Sequence, residues 1–187
     1  MANSSFVAQR IERYYRRQAD VIAPPVDTEY FTPSGAPPQD FYLFVSELVA
    51  YKRADLVVDA FNRLGLPLKV IGDGEDMSQL KARAKENVQI LGRQPREAVR
   101  EAFASCKALV FPAEEDFGIV PVEAMASGRP VIAFSGGGAR DTVVDGLSGL
   151  LFHEQSVEAM IDAVETFEAE GLDRLDPAAL VRHSRDF

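Results

Sequence analysis

The 187-residue chain is 47% hydrophobic and 26% charged, ordinary values for one well-buried globular domain. Its 20 basic and 29 acidic residues leave a net charge of −9, which excludes a general nucleic-acid binder, because such proteins need a broad field of Lys and Arg. A single cysteine, Cys106, excludes an intrachain disulfide and a cysteine-rich zinc site, and its setting in ASCKALVF predicts a packed side chain.

No apolar run approaches the roughly 20 residues of a spanning helix, and the start MANSSFVAQRIERYY lacks the apolar core of a signal peptide. The expectation is a soluble, cytoplasmic protein with at most peripheral contact to the cytoplasmic face of a membrane. In the first 20 residues Val7, Ile11, Tyr14 and Tyr15 recur at helical spacing, and Arg10, Arg13, Arg16 and Arg17 face only Glu12 and Asp20. This predicts an amphipathic helix whose basic face is either solvated or, as the alternative, set against anionic lipid. Pro24, Pro25, Pro33, Pro37 and Pro38 then exclude helix or central strand, so residues 1–40 read as a helix plus a proline-rich connector.

From residue 41 apolar runs alternate with helical stretches. The runs are FYLFV, LKVI (68–71), VQIL (88–91), ALVF (108–111), PVIAF (130–134) and GLLF (149–152). The helices are predicted at 54–64, 76–85, 95–104, 120–127, 139–143, 156–169 and 177–185. Short apolar strands separated by helices predict an α/β domain over 41–187: a Rossmann-like, doubly wound parallel sheet with helices on both faces. Both ends read as cut, the first opening directly into a helix and the last stopping at Phe187 without a cap signal.

Ligands of open α/β sheets lie beyond the carboxyl ends of the strands, so chemistry is sought in the loops after Val45, Ile71, Leu91, Phe111 and Phe134. The fourth loop carries most: Glu114, Glu115 and Asp116 precede Phe117, Gly118 and Ile119, and Pro121 suits the first turn of a helix bearing Glu123. Gly118 permits close backbone approach, and the helix start could present N–H groups to a diphosphate; alternatively, the acids only complement the helix dipole. Gly72 and Gly74 either line a ligand or form a tight turn, and Lys52 with Arg53 either meets an anion or opens a solvated helix. Gly136, Gly137 and Gly138 follow a strand and could approach the ligand, but they do not continue into a dinucleotide fingerprint, because Asp141 stands at its last glycine position. His153 and His183 are isolated and read as surface or helix-end residues rather than metal ligands.

The order EDFGIVPVEAMASGRPVIA followed by GGGARDTVVDGLSGLLF closely resembles the C-terminal domain of the retaining glycosyltransferase group 1 family, which has the two-domain GT-B fold. The resemblance extends through PPVDTEYFTP, FVSELVAYKRADLVVDAF, VIGDGED and VQILGR. It implies a donor-binding domain for a nucleoside-diphosphate sugar, acting without metal or other cofactor. Glu115 matches the glutamate near the donor sugar and is the implied catalytic residue, while Glu123 matches the one that holds the ribose hydroxyls. Phe117, Gly118 and Ile119 match the backbone facing the phosphates or the sugar, Lys52 the lysine that neutralises the diphosphate, and Gly92 and Arg93 the stretch passing the base. Glu47 departs from the pattern, standing where the family commonly has a phosphate-binding arginine; either Arg53 beside Lys52 supplies the second cation, the preferred reading, or Glu47 points elsewhere and the site relies on Lys52. The YKR and EEDFG variants resemble mannosyltransferases, which implies GDP-mannose as donor and an acceptor of unknown sugar or lipid-linked type. An N-terminal acceptor domain would then be missing from this chain, leaving it inactive alone.

Overall fold

The structure, a computed structural model, describes residues 1–187. Six parallel strands form one sheet: β1 Tyr42–Val45, β2 Leu68–Ile71, β3 Val88–Gly92, β4 Leu109–Phe111, β5 Val131–Phe134 and β6 Gly149–Phe152. Their spatial order is β3-β2-β1-β4-β5-β6, the doubly wound arrangement expected from the alternating pattern. The helices are α1 Ser5–Tyr15, α2 Ala54–Leu64, α3 Met77–Arg83, α4 Arg96–Ser105, α5 Ile119–Ala126, α6 Ala139–Thr142, α7 Val157–Glu170 and α8 Pro177–Ser184.

Successive strand residues point to opposite faces, so a strand buried on both sides must be apolar throughout. Tyr42 and Phe44 of β1 enter one core with Phe61 of α2, Leu80 of α3 and Phe167 of α7. Leu43, between them, enters a second core with Phe103 of α4, Met125 of α5 and Leu180 of α8. Cys106 is fully buried in that second core, as its apolar neighbours implied. Complete burial of side chains such as Phe61, Phe103 and Phe167 contributes about 1.5–3 kcal/mol each, so the two cores fix the positions of all the loops above them.

Two local features differ from the expected elements. The third helix covers only Met77–Arg83, and single 3-10 turns form at Ala50–Lys52 and Leu172–Arg174. Both turns lack strong periodicity because three residues are too few to show it. Residues 24–41 carry no helix or strand, as their prolines require. Arg129 anchors this connector from below: its buried guanidinium donates to Ala104 O at 3.0 and 2.6 Å and to Ala36 O at 3.2 Å. Ala104 lies in the last turn of α4, so Arg129 satisfies carbonyl capacity at a helix C-terminus and complements its dipole.

Helix α1 begins at Ser4, whose hydroxyl accepts from Val7 N–H, and ends where Arg16 turns left-handed. None of its residues is fully buried, and Tyr14 and Tyr15 are exposed. It is fastened by polar contacts instead: Ser5 N–H donates to Asp141 at 2.6 Å, and Arg10 pairs with Asp116 at 2.9 Å.

At the amino end of the sheet Tyr42 Oη donates to Glu168 at 2.5 Å, and Lys107 Nζ reaches the same carboxylate at 2.7 Å. Burial would raise the Glu168 carboxyl, but hydrogen bonds from Lys107 and Tyr42 outweigh it and hold it below its ordinary range.

Candidate active site

Chain direction across the sheet reverses between β1 and β4: one wing runs outward through β2 and β3, the other through β5 and β6. The loops leaving β1 and β4 therefore part in opposite directions and open a crevice at their carboxyl ends. Lys52 lies on the first of these loops and Glu115 on the second.

The loop after β1 is fixed by its neighbour after β2. Leu48 N–H donates to Asp73 O at 2.9 Å, and Asp76 N–H donates to Leu48 O at 3.0 Å. A Cβ on Gly72 would lie 1.8 Å from Ser46 O, and one on Gly74 2.3 Å from Leu48 O, so both glycines are required by backbone packing whether or not they also line a ligand. The 3-10 turn Ala50–Lys52 then carries Lys52 inward. Arg53 follows in a left-handed conformation (φ 57°) that starts α2, and its guanidinium bonds Asp55 at 3.3 Å. Glu47 is exposed and forms no ion pair.

The loop after β4 is supported from β5. Gly138 N–H donates to Glu115 O at 2.8 Å, and a Cβ on Gly138 would meet Phe117 Cα and Asp116 O at 2.5 Å. Gly137, at φ 65°, lies so close that its Cβ would be 2.2 Å from Glu115 O. Phe117 drops its ring into the second core and meets Phe187 edge-on, which anchors the loop beside Glu115. Gly118 (φ 85°) caps α5 without a side chain, so the first N–H groups of that helix have no side-chain acceptor. Ile119, the first helical residue, is exposed there.

Lys52 Nζ donates to Glu115 Oε1 across the crevice, and the two side chains are only 14% and 19% exposed. This pair joins residues 63 positions apart, one from each wing of the sheet.

Glu123 sits one turn into α5, half-buried. Burial pushes its carboxyl up to about 7, with Arg96 opposing that rise and Asp27 adding to it. Arg96, at the start of α4, forms an ion pair with Asp27 of the connector and lies 3.9 Å over the Tyr30 ring. Gly92 ends β3 at a bulge, accepts from Gly72 N–H at 3.0 Å and leaves Arg93 exposed. Thus Lys52 and Glu115 meet between the loops after β1 and β4, Phe117 and Gly118 are buried beside them, Ile119 is exposed at the start of α5, Glu123 lies further along that helix, and Arg53 bonds Asp55.

His153 pairs with Ser135 at 2.7 Å on the surface, and His183 in the last turn of α8 meets Thr142 O at 2.8 Å, the surface and helix-end places expected. No three His, Cys, Asp or Glu side chains gather where they could hold one metal ion.

Residues 26–181 match the family described as glycosyl transferases group 1. The chain belongs to that family. Among curated relatives, an uncharacterised glycosyltransferase of Methanocaldococcus jannaschii is 33% identical over 79% of this chain and 43% of its own length. A GDP-mannose-dependent alpha-mannosyltransferase of Mycolicibacterium smegmatis is 33% identical over 88% of this chain and 45% of its own. A D-inositol 3-phosphate glycosyltransferase of the same species is 29% identical, over the whole chain and 48% of its own length. The chain thus spans a little under half of these relatives. Among solved structures, Anabaena HepE in complex with UDP and glucose superposes with a TM-score of 0.84 at 21% identity, over 100% of this chain and 58% of that one. The apo lipopolysaccharide outer core galactosyltransferase WaaB gives 0.81 at 23% identity, over 100% and 57%. These likenesses place this group 1 glycosyltransferase chain in the Rossmann-like α/β architecture of the GT-B enzymes.

Of the glycine run read from the sequence as able to approach a ligand, Gly137 and Gly138 lie against the backbone of the Glu115 loop; the lack of side chains signals close approach but not to what. Two contributors were passed over. Arg10 pairs with Asp116, and Arg96 with Asp27 sets the charge around Glu123; neither pair has a local signal, since 106 and 69 positions separate the partners.

Proposed function

We propose that this chain is the C-terminal, donor-binding half of a retaining glycosyltransferase that takes a nucleoside-diphosphate sugar, with GDP-mannose as donor. The observation that supports this most is the meeting of Lys52 and Glu115 beside the uncapped start of α5, at the switch point of the sheet. In a transition state of glycosyl-cation character, negative charge grows on the departing diphosphate. Lys52 and the N–H groups of Gly118 and Ile119 supply a cation and dipoles for it without a metal, with Arg53 able to join by leaving Asp55. Glu115 faces the sugar, Glu123 accepts from the ribose hydroxyls, and Gly92 with Arg93 passes the base.

The acceptor, a sugar or lipid-linked hydroxyl, would be bound by a separate N-terminal domain acting with this one in the cytoplasm, so this chain alone transfers nothing. The likeness to GDP-mannose-dependent mannosyltransferases supports the donor. A thermal-shift panel of GDP-mannose, UDP-glucose and ADP-glucose tests it, since a ligand that binds only the folded state raises its stability by mass action. GDP-mannose is expected to give the largest shift; a larger one with UDP-glucose reassigns the base, and none with any of the three removes the donor site. Glu47 favours a second reading, a catalytically inactive module that only holds nucleotide sugar or a partner subunit. Transfer by the protein with its acceptor domain would exclude it.

A further inference from the structure

Lys52 has one ammonium and two claimants. It is held by Glu115; of the neighbouring acids, Asp116 pairs with Arg10 at 2.9 Å and Glu114 is exposed. An arriving diphosphate must take Lys52 from Glu115, leaving a carboxylate that is 19% exposed without its cation. Loss of a partner by a largely buried charge is costly unless another donor replaces it. An intact donor brings that replacement, because its sugar hydroxyls can donate to Glu115 once Lys52 has moved to the phosphates. The free nucleoside diphosphate brings none, and its terminal phosphate carries roughly one more negative charge near neutral pH.

We infer that Glu115 is a specificity-determining residue that favours the intact donor over the nucleoside-diphosphate product by competing with the product for Lys52. This rests on the proposed donor site and adds a role at the end of the catalytic cycle: once the sugar has left, Glu115 reclaims Lys52 and promotes product release.

The test is calorimetric titration of wild type and Glu115→Gln with GDP and GDP-mannose, and with UDP and UDP-glucose as the parallel pair. Glu115→Gln keeps the shape and a hydrogen-bonding group but gives up the charge. The variant is expected to bind the nucleoside diphosphate about tenfold tighter than wild type, with the sugar-bearing ligand unchanged or weaker, so that the preference for donor collapses. Equal diphosphate affinity in wild type and variant, at equal melting temperature, overturns the inference while leaving the donor site standing. Binding of none of the four ligands by wild type overturns the donor site and the inference with it.

A Lys52→Met background separates competition from plain repulsion. There the gain from Glu115→Gln should shrink to about threefold or less, since only the through-space charge effect remains. A full tenfold gain without Lys52 would show that no competition for it exists.

Discussion

Two lysine–glutamate pairs sit at opposite ends of the same sheet, and their surroundings differ more than their chemistry. At the amino end Lys107 and Glu168 are joined by Tyr42, and Asp40 approaches Lys107 at 3.5 Å, so each charge has more than one protein partner. At the carboxyl end Lys52 and Glu115 form a single ion pair beside a helix start without a side-chain cap, and the Lys52 ammonium has only the Tyr51 ring, 4.8 Å away, as a further partner. A satisfied network ties α7 to the sheet; a pair with spare capacity is open to exchange with a ligand. An ion pair is therefore not a functional signal until its remaining donors and acceptors have been counted.

Substitutions can break or sharpen this contrast. The largest effect is expected from Gly138→Val, whose side chain has no room against Phe117 and Asp116; it should lower stability by about 3–5 kcal/mol in denaturant unfolding and displace the Glu115 loop. If stability holds, the supporting role of the glycine run is wrong. Lys107→Met should cost about 1–2 kcal/mol of stability and leave nucleotide binding as it is, because it unpairs Glu168 far from the crevice.

Glu123→Gln sharpens the contrast through pH. The Glu123 carboxyl is raised from 4.5 to about 7 by burial, so the folded state binds a proton more tightly than the unfolded one. Stability from this group is therefore full below about 4.5 and is lost as pH rises through about 7. The variant should match wild type in thermal unfolding at pH 4 and exceed it by about 1–2 kcal/mol at pH 8; a pH-independent difference would contradict the raised value. Tyr42→Phe is the smallest, about 1 kcal/mol of stability from one lost hydrogen bond to a charged acceptor, with no change in ligand affinity.

Most of the sheet was legible because fully buried parallel strands must be apolar in both alternate positions, which FYLFV and PVIAF satisfy and LKVI meets except at half-buried Lys69. Phe41, at the start of the first run, is buried but lies outside β1, since burial and ladder pairing are separate demands. The Glu115–Glu123 segment was legible from its place after the fourth strand and from the family pattern. Long-range partners were not. Nothing near Lys52 names Glu115, nothing near Gly72 names the Ser46 carbonyl it must clear, and nothing near Arg129 names the end of α4. The implied use of Arg53 as second cation met a local competitor instead, because Asp55, two residues on, already holds its guanidinium.

The central claim is that Lys52, not a lysine elsewhere, meets the diphosphate. Isothermal titration of GDP-mannose into wild type, Lys52→Ala and Lys107→Ala tests it directly. Loss of about 2–3 kcal/mol of binding energy in Lys52→Ala, with Lys107→Ala equal to wild type, is the expected result. Unchanged affinity in Lys52→Ala would contradict the account and move the phosphates away from the crevice between β1 and β4.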